Sequence, residues 1–183
     1  MNKPIIYIVE KKKSLTAQEF DFLLSFVDIS KKERILNQNH KEDAESILIS
    51  DILVKIAIKQ VFGIPIKEQI YSKNNNGKPC FVNQEDIYFN VSHSGKYVVC
   101  AIYDSKIGVD IQEIKDFNLN VANYICNTNE NVTNSSELTK LWSQKEAVLK
   151  KYGLGLAGDI KNCLKNEYTQ SIKIENYWLS ISI

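Results

Sequence analysis

Histidine is scarce in this chain of 183 residues, with two copies. The four cysteines, Cys80, Cys100, Cys126 and Cys163, are scattered, with no Cys-x-x-Cys pair. A zinc site is therefore not expected. Cys100 lies in an apolar run and reads as a small core residue. Charge of one sign is lacking too. The formal net charge is +1, so no global field points to a nucleic-acid partner, and any anion must be bound by a local cluster. No apolar stretch approaches membrane-spanning length, and Met1–Ile8 lacks the long apolar core of a signal peptide. Asn90-Val-Ser92, Asn131-Val-Thr133 and Asn134-Ser-Ser136 fit the glycosylation pattern. Without a secretory signal they are chance matches in an Asn-rich chain. The expectation is a reduced, cytoplasmic protein that makes no membrane contact.

Apolar residues make up 44% of the chain, enough for one domain or two small ones sharing a core. Residues 4–9 read as a strand. Residues 16–27 place Phe20, Leu23, Leu24 and Val27 at helical spacing, with Thr16 and Glu19 as a capping box. Ser30 gives a second helix start before Lys31-Lys32-Glu33-Arg34, where Lys31 and Arg34 share a face. Residues 41–62 carry the 3.6-residue period of a long amphipathic helix, stopped by Gly63 and Pro65. A turn is expected at 74–79, around Gly77 and Pro79. Tyr88–Ser92 and Tyr97–Tyr103 read as a hairpin turning at His93–Lys96. The second of these strands is continuously apolar, as a strand buried on both faces would be. In strand 107–112, Val109 and Ile111 share one face, Asp110 and Gln112 the other. Residues 116–136 are polar, with weak helical character at Val121–Ile125. A helix over 137–152 follows, then short strands at 159–166, 170–175 and 177–183.

A faint internal repeat runs through this pattern. Both long helices end in similar steps, Val61-Phe62-Gly63-Ile64 and Lys151-Tyr152-Gly153-Leu154, and each precedes short strands that close with an apolar one. The expected architecture is α+β, with similar halves at 1–104 and 105–183 packed face to face around a cleft.

The polar residues of the second half suggest chemistry for that cleft. Glu146 and Lys150 are four apart and share a helical face with Trp142. Asp110 emerges from an apolar strand, where an unpaired carboxylate is costly, so it needs a cation. A Lys, an Arg or a metal would each serve. Asp110 and Glu146, with the Gln112 amide and waters, suit a hard divalent ion such as Mg²⁺, which is commonly shared with substrate phosphates. Ser92, His93, Lys78, Lys31, Arg34 and Lys150 are candidate phosphate partners. Each also has a plainer reading: a surface ion pair for Glu146 and Lys150, a hairpin cap for His93, a solvated basic face for Lys31 and Arg34.

Four ordered blocks carry a resemblance. Gly77-Lys78-Pro79, Phe89-Asn-Val-Ser92-His93-Ser94-Gly95, Ile107-Gly108-Val109-Asp110-Ile111 and Leu141-Trp142-Ser-Gln-Lys145-Glu146-Ala-Val-Leu-Lys150 resemble the signature blocks of the 4'-phosphopantetheinyl transferase superfamily. With His40-Lys41-Glu42-Asp43-Ala44, the likeness to its surfactin-synthetase-activating branch runs from about residue 20 to 158. The resemblance implies a pseudo-dimeric fold and transfer of the phosphopantetheine arm of coenzyme A to a serine of an acyl, peptidyl or aryl carrier protein (holo-acyl-carrier-protein synthase activity). Adenosine 3',5'-bisphosphate would be released. It implies that Asp110, Gln112 and Glu146 hold Mg²⁺, that Lys150 contacts the pyrophosphate and that Glu146 is the candidate base. Ser92 and His93 would then bind coenzyme A phosphates, Lys78 the adenine end, and Lys31 and Arg34 the 3'-phosphate. A monomer with an internal pseudo-dimer is expected.

The chain departs from the pattern in places. Gln112 stands where many relatives carry an acidic residue, and Ser46 where they often carry an Arg, for which Lys31, Arg34 or Lys41 would have to compensate. The 113–137 segment, which helps relatives bind the carrier, is short. Two rivals remain open: a degenerate member that binds coenzyme A or a carrier without transfer, and a metal-dependent hydrolase of nucleotide pyrophosphates.

Overall fold

The computed structural model describes residues 1, 3–73, 78–82, 86–155 and 158–183, with the backbone alone at 30 and 73. The expected turn at Gly77 lies outside the described residues. The N-terminal part runs β1 (Ile5–Glu10), α1 (Ala17–Leu24), α2 (Ile29–Leu36), α3 (Lys41–Phe62), β2 (Tyr71–Lys73), β3 (Pro79–Phe81), β4 (Tyr88–Ser94) and β5 (Tyr97–Tyr103). The C-terminal part runs β6 (Gly108–Glu113), α4 (Leu119–Ile125), α5 (Ser135–Tyr152), β7 (Thr169–Ile174) and β8 (Tyr177–Ser182). Each part builds an antiparallel three-stranded sheet, in the order β1-β5-β4 and β6-β8-β7. This is the expected α+β arrangement of two similar halves.

The apolar run of β5 joins the halves. Val98, Cys100 and Ile102 pack under α3 with Leu53, Val54, Ala57 and Ile58. The alternate residues Tyr97, Val99 and Ala101 pack against Val109, Ile111, Leu179 and Ile181 of the other sheet. Both faces of β5 are therefore core, which is why its sequence lacks the alternation of a half-exposed strand. Both long helices stop where the repeat predicts, on left-handed glycines: Gly63 at φ 72° and Gly153 at φ 70°. In each case the glycine N–H returns to the last helical turn.

A second ladder joins the halves through side chains. On β4, Phe89 packs under α3, so Asn90, Ser92 and Ser94 face β6. Their oxygens accept from the backbone N–H groups of Val109 (2.9 Å), Ile111 (3.3 Å) and Glu113 (3.1 Å). The two-residue period of β4 thus meets the two-residue period of β6 and fixes their register.

Four expectations shift. The capping box at Thr16 and Glu19 is present, but α1 ends at Leu24 instead of Val27. Helix α2 starts at Ile29 with Asp28 as its N-cap, ahead of the expected start at Ser30. The 3-residue strands β2 and β3 and a 3-10 turn at Ile66–Glu68 were not expected. Residues 160–166 are successive turns, not a strand. Asn162 N–H donates to the Asp159 carbonyl and Lys165 N–H to the Asn162 carbonyl, while the Asp159 carboxylate accepts from Asn162. These local bonds, with Ile160 buried against α4 and α5, favour winding over extension.

Candidate active site

Asp110, on β6, lies where β4 and α5 meet that strand. It is fully buried. Val109 and Ile111 bury into the inter-sheet core, so Asp110 turns to the opposite face, against α5. Its Oδ1 accepts from Ser92 Oγ at 2.7 Å and Lys150 Nζ at 2.5 Å. Its Oδ2 is buried with no hydrogen-bond partner. An orphaned carboxylate oxygen in a dry site is costly, and such a group calls for a cation or donor.

Glu146 lies one helical turn before Lys150 on α5. Burial raises its carboxyl above the ordinary carboxylate range; the Lys150 ammonium opposes this and the Asp110 charge adds to it. Asp110 and Glu146 therefore sense each other as like charges in a partly desolvated place. Among the described residues no group of three or more His, Cys, Asp or Glu side chains is placed to hold a metal ion. The donor set is instead two carboxylates, with the half-buried Gln112 two residues along the same strand face. That set is too small for a closed metal cage. It fits an ion that keeps waters and shares itself with a phosphate, as Mg²⁺ does. The orphaned Asp110 oxygen and the proton-hungry Glu146 are the features that fit.

Lys150 Nζ also donates to Ser92 Oγ at 2.9 Å. Ser92 is buried, and its oxygen accepts from Ile111 N–H as well. The hydroxyl is thus occupied with Asp110, Lys150 and the strand ladder. His93, next along β4, is exposed. Partial desolvation lowers its pKa; Lys150, Lys11 and Arg34 lower it further, and Asp43 opposes them. Three cations from separate parts of the chain, Lys150, Lys11 and Arg34, thus act on the ring.

The remaining candidates are placed differently from one another. Arg34 is exposed on α2. Lys31, three residues earlier, turns inward and pairs with Asp51 on α3, and its ammonium lies 4.7 Å from the Tyr71 ring centre. Lys31 and Arg34 thus do not act as one basic face. Lys78 Nζ donates to the Ile107 and Lys151 carbonyls at 3.0 and 2.9 Å. It straps the N-terminal half onto the start of β6 and the end of α5. Burial, with a smaller contribution from Lys106, lowers its pKa to about 8.

Several residues that shape the site were not singled out from the sequence. Asn90 and Ser94 complete the β4–β6 ladder; their two-residue spacing around Ser92 is the signal that could have found them. Ser180, opposite Asp110 across β6 and β8, bonds Ser143 of α5 at 2.7 Å. Lys145, fully buried, donates to the Ile125 carbonyl, Glu130 and the Lys161 carbonyl at 2.6–2.8 Å. It anchors the 126–130 loop and the 160–166 turns on α5. Lys11, just past β1, donates to Ser46 Oγ at 2.6 Å; nothing in its local sequence marks it.

Residues 12–105 match the family described as 4'-phosphopantetheinyl transferase, N-terminal, and residues 106–178 match the 4'-phosphopantetheinyl transferase superfamily. The chain belongs to that superfamily, a class of transferases. It is 32% identical over 160 residues to the 4'-phosphopantetheinyl transferase Sfp of Bacillus subtilis (strain 168), covering 83% of this chain and 71% of that one. It is 33% identical over 145 residues to the 4'-phosphopantetheinyl transferase gsp of Aneurinibacillus migulanus, covering 75% and 60%. The likeness extends at 27% identity over 174 residues to the L-aminoadipate-semialdehyde dehydrogenase-phosphopantetheinyl transferase of Saccharomyces cerevisiae, covering 85% and 64%. The first two set the chain on the Sfp-like branch.

Proposed function

We propose that the chain transfers the 4'-phosphopantetheine arm of coenzyme A to a serine of an apo acyl, peptidyl or aryl carrier protein, releasing adenosine 3',5'-bisphosphate. The observation that carries this reading is the pair Asp110 and Glu146, one with an orphaned buried oxygen, beside Lys150 and His93 in a transferase of this superfamily. Asp110, Glu146 and Gln112 would hold Mg²⁺, which when bound supplies charge neutralisation for the pyrophosphate.

The serine oxygen attacks the phosphorus that carries pantetheine, and the bond from that phosphorus to the bridging oxygen breaks. The electron pair leaves with adenosine 3',5'-bisphosphate. Lys150 faces the charge that develops on this leaving phosphate. The serine proton goes to Glu146, directly or through a water, and burial raises the proton affinity of that carboxylate. Ser92 holds Asp110 and Lys150 in register, and His93 adds a donor for a coenzyme A phosphate. Attack requires the serine in line with the leaving oxygen, so the rigidity of the β4–β6 ladder matters as much as the charges. No helix among the described residues is long and apolar enough to cross a membrane; we read the protein as a cytoplasmic monomer whose two halves form an internal pseudo-dimer.

The test is nucleotide release. With coenzyme A and Mg²⁺, adenosine 3',5'-bisphosphate should appear only when an apo carrier protein is added. Release without carrier would make the protein a pyrophosphate hydrolase. Coenzyme A binding with no release under either condition would make it a binding member of the family.

A further inference from the structure

The last four carbonyls of an α-helix have no partner inside the helix. On α5 they belong to Leu149, Lys150, Lys151 and Tyr152. The left-handed cap closes the first two. Gly153 N–H donates to the Leu149 and Lys150 carbonyls, and Leu154 N–H donates to that of Leu149. The Lys151 carbonyl is closed from elsewhere: it accepts from the Lys78 ammonium at 2.9 Å. A cation at this place also meets the negative end of the helix dipole.

The same ammonium donates to the Ile107 carbonyl at 3.0 Å. Ile107 is one residue ahead of the β6–β8 ladder, which starts at Gly108, so its carbonyl is free to accept. Lys78 itself belongs to the N-terminal part, next to Pro79 at the start of β3, and is 29 residues from Ile107 and 73 from Lys151. One side chain of the first half therefore bridges two elements of the second, β6 and α5. These two elements carry the site. Ile107 is three residues before Asp110, and Lys151 follows Lys150. Between the two bonds the backbones pack so closely at Gly108 that a Cβ would collide with the Ala147 carbonyl. Lys78 thus closes the tightest contact between the strand of Asp110 and the helix of Glu146 and Lys150.

An ammonium has three N–H groups, and two of these are directed at main-chain carbonyls, away from the role at the adenine end that the resemblance implies for Lys78. Resting on the function proposed above, we infer that Lys78 is a positioning residue of the transfer step and not a nucleotide contact: from the first half it holds α5 on β6 and so sets Glu146 and Lys150 against Asp110. Loss of the strap acts on the transition state more than on the bound nucleotide. The ammonium of Lys150, on its flexible stem, can follow a phosphate through a small shift of α5, whereas in-line attack with the base in reach cannot tolerate one.

Two measurements on the same variants test this: calorimetric titration with adenosine 3',5'-bisphosphate and Mg²⁺, and the transfer rate to an apo carrier protein at saturating coenzyme A. Lys78→Met keeps the length of the side chain and removes its donors. It should bind the bisphosphate as wild type does, one per chain, which also shows that it is folded, and its turnover should fall by roughly ten- to a hundredfold. Lys78→Arg, with donors for both carbonyls, should recover most of the turnover. If Lys78→Met does not fold, Lys78→Gln, whose amide still donates to one carbonyl, takes its place in the same comparison. Weakened binding of the bisphosphate, with or without slower turnover, would make Lys78 a nucleotide contact and overturn the inference. So would an unchanged turnover, or a Lys78→Arg protein as slow as Lys78→Met. Each of these leaves the proposed function standing. A wild type that binds the bisphosphate and modifies no carrier overturns both.

Discussion

Gly108 opens β6 two residues before Asp110, and the main chain of α5 lies directly against it. A Cβ at this position would stand 1.8 Å from the Ala147 carbonyl oxygen, 2.6 Å from Lys151 N and 2.9 Å from the Ala147 carbonyl carbon. None of these atoms can rotate aside, because all belong to the helix backbone. Gly108→Ala must therefore push α5 away from β6. Overpacking a core costs about 1–3 kcal/mol, and with only main-chain atoms to yield the upper end applies. At 2–4 °C per kcal/mol for a chain of this size, melting should fall by about 6–12 °C. The contact atoms belong to the residues next to Glu146 and Lys150, so the same displacement separates those side chains from Asp110. A shift on the order of 1 Å at a reacting centre costs roughly a hundredfold in rate. Thermal unfolding by circular dichroism and initial transfer rates, measured well below the variant's melting point, read the two effects separately. A Gly108→Ala protein that melts and turns over like wild type would refute the claim that backbone contact at Gly108 sets the spacing of the carboxylates.

Two further outcomes follow from the same contacts. Lys145→Met removes a buried ammonium from Glu130 and two carbonyls and should cost about 3–5 kcal/mol in urea denaturation, with faster amide exchange at 126–130; an unchanged midpoint would show that the loop does not depend on this tie. His93 should titrate below 6.5 by NMR, and adenosine 3',5'-bisphosphate should raise its midpoint, because bound phosphate favours the imidazolium. The sign for stability follows. With the folded pKa below the unfolded one, His93 costs the fold nothing above about pH 6.5 and an increasing amount as pH falls. A midpoint above 6.5 in the free protein would contradict the action of Lys11, Arg34 and Lys150 on the ring.

Much of the fold is legible locally. The period of α3, its left-handed glycine stop and the two-faced apolar run of β5 are all properties of contiguous sequence, and the structure repeats them residue for residue. Asp110, announced by its polar intrusion into an apolar strand, does meet a cation, and that cation is Lys150 from the helix that also carries Glu146. What was illegible depends on partners far along the chain. Lys31 looks like surface charge beside Arg34 until Asp51, twenty residues away, turns it inward. Ser92, at the end of its expected strand, looks like a hydroxyl free for a phosphate, yet β6 claims it as one rung of a ladder. Lys11 and Ser46 lie 35 residues apart and have no periodicity in common. The apolar Ile160, Cys163 and Leu164 suggest a strand over 159–166 but do not alternate, and Asp159 and Asn162 close turns there instead.

The central claim is that Asp110 and Glu146 act together on the pyrophosphate of coenzyme A while a carrier serine attacks. Intact mass of an apo carrier protein, after incubation with the enzyme, coenzyme A and Mg²⁺, tests it most directly. Wild type should add the mass of one phosphopantetheine arm to the carrier, and Asp110→Asn, shown by circular dichroism to be folded, should add none. A carrier that stays apo with wild type across several carrier classes, or that is fully modified by Asp110→Asn, would contradict the account.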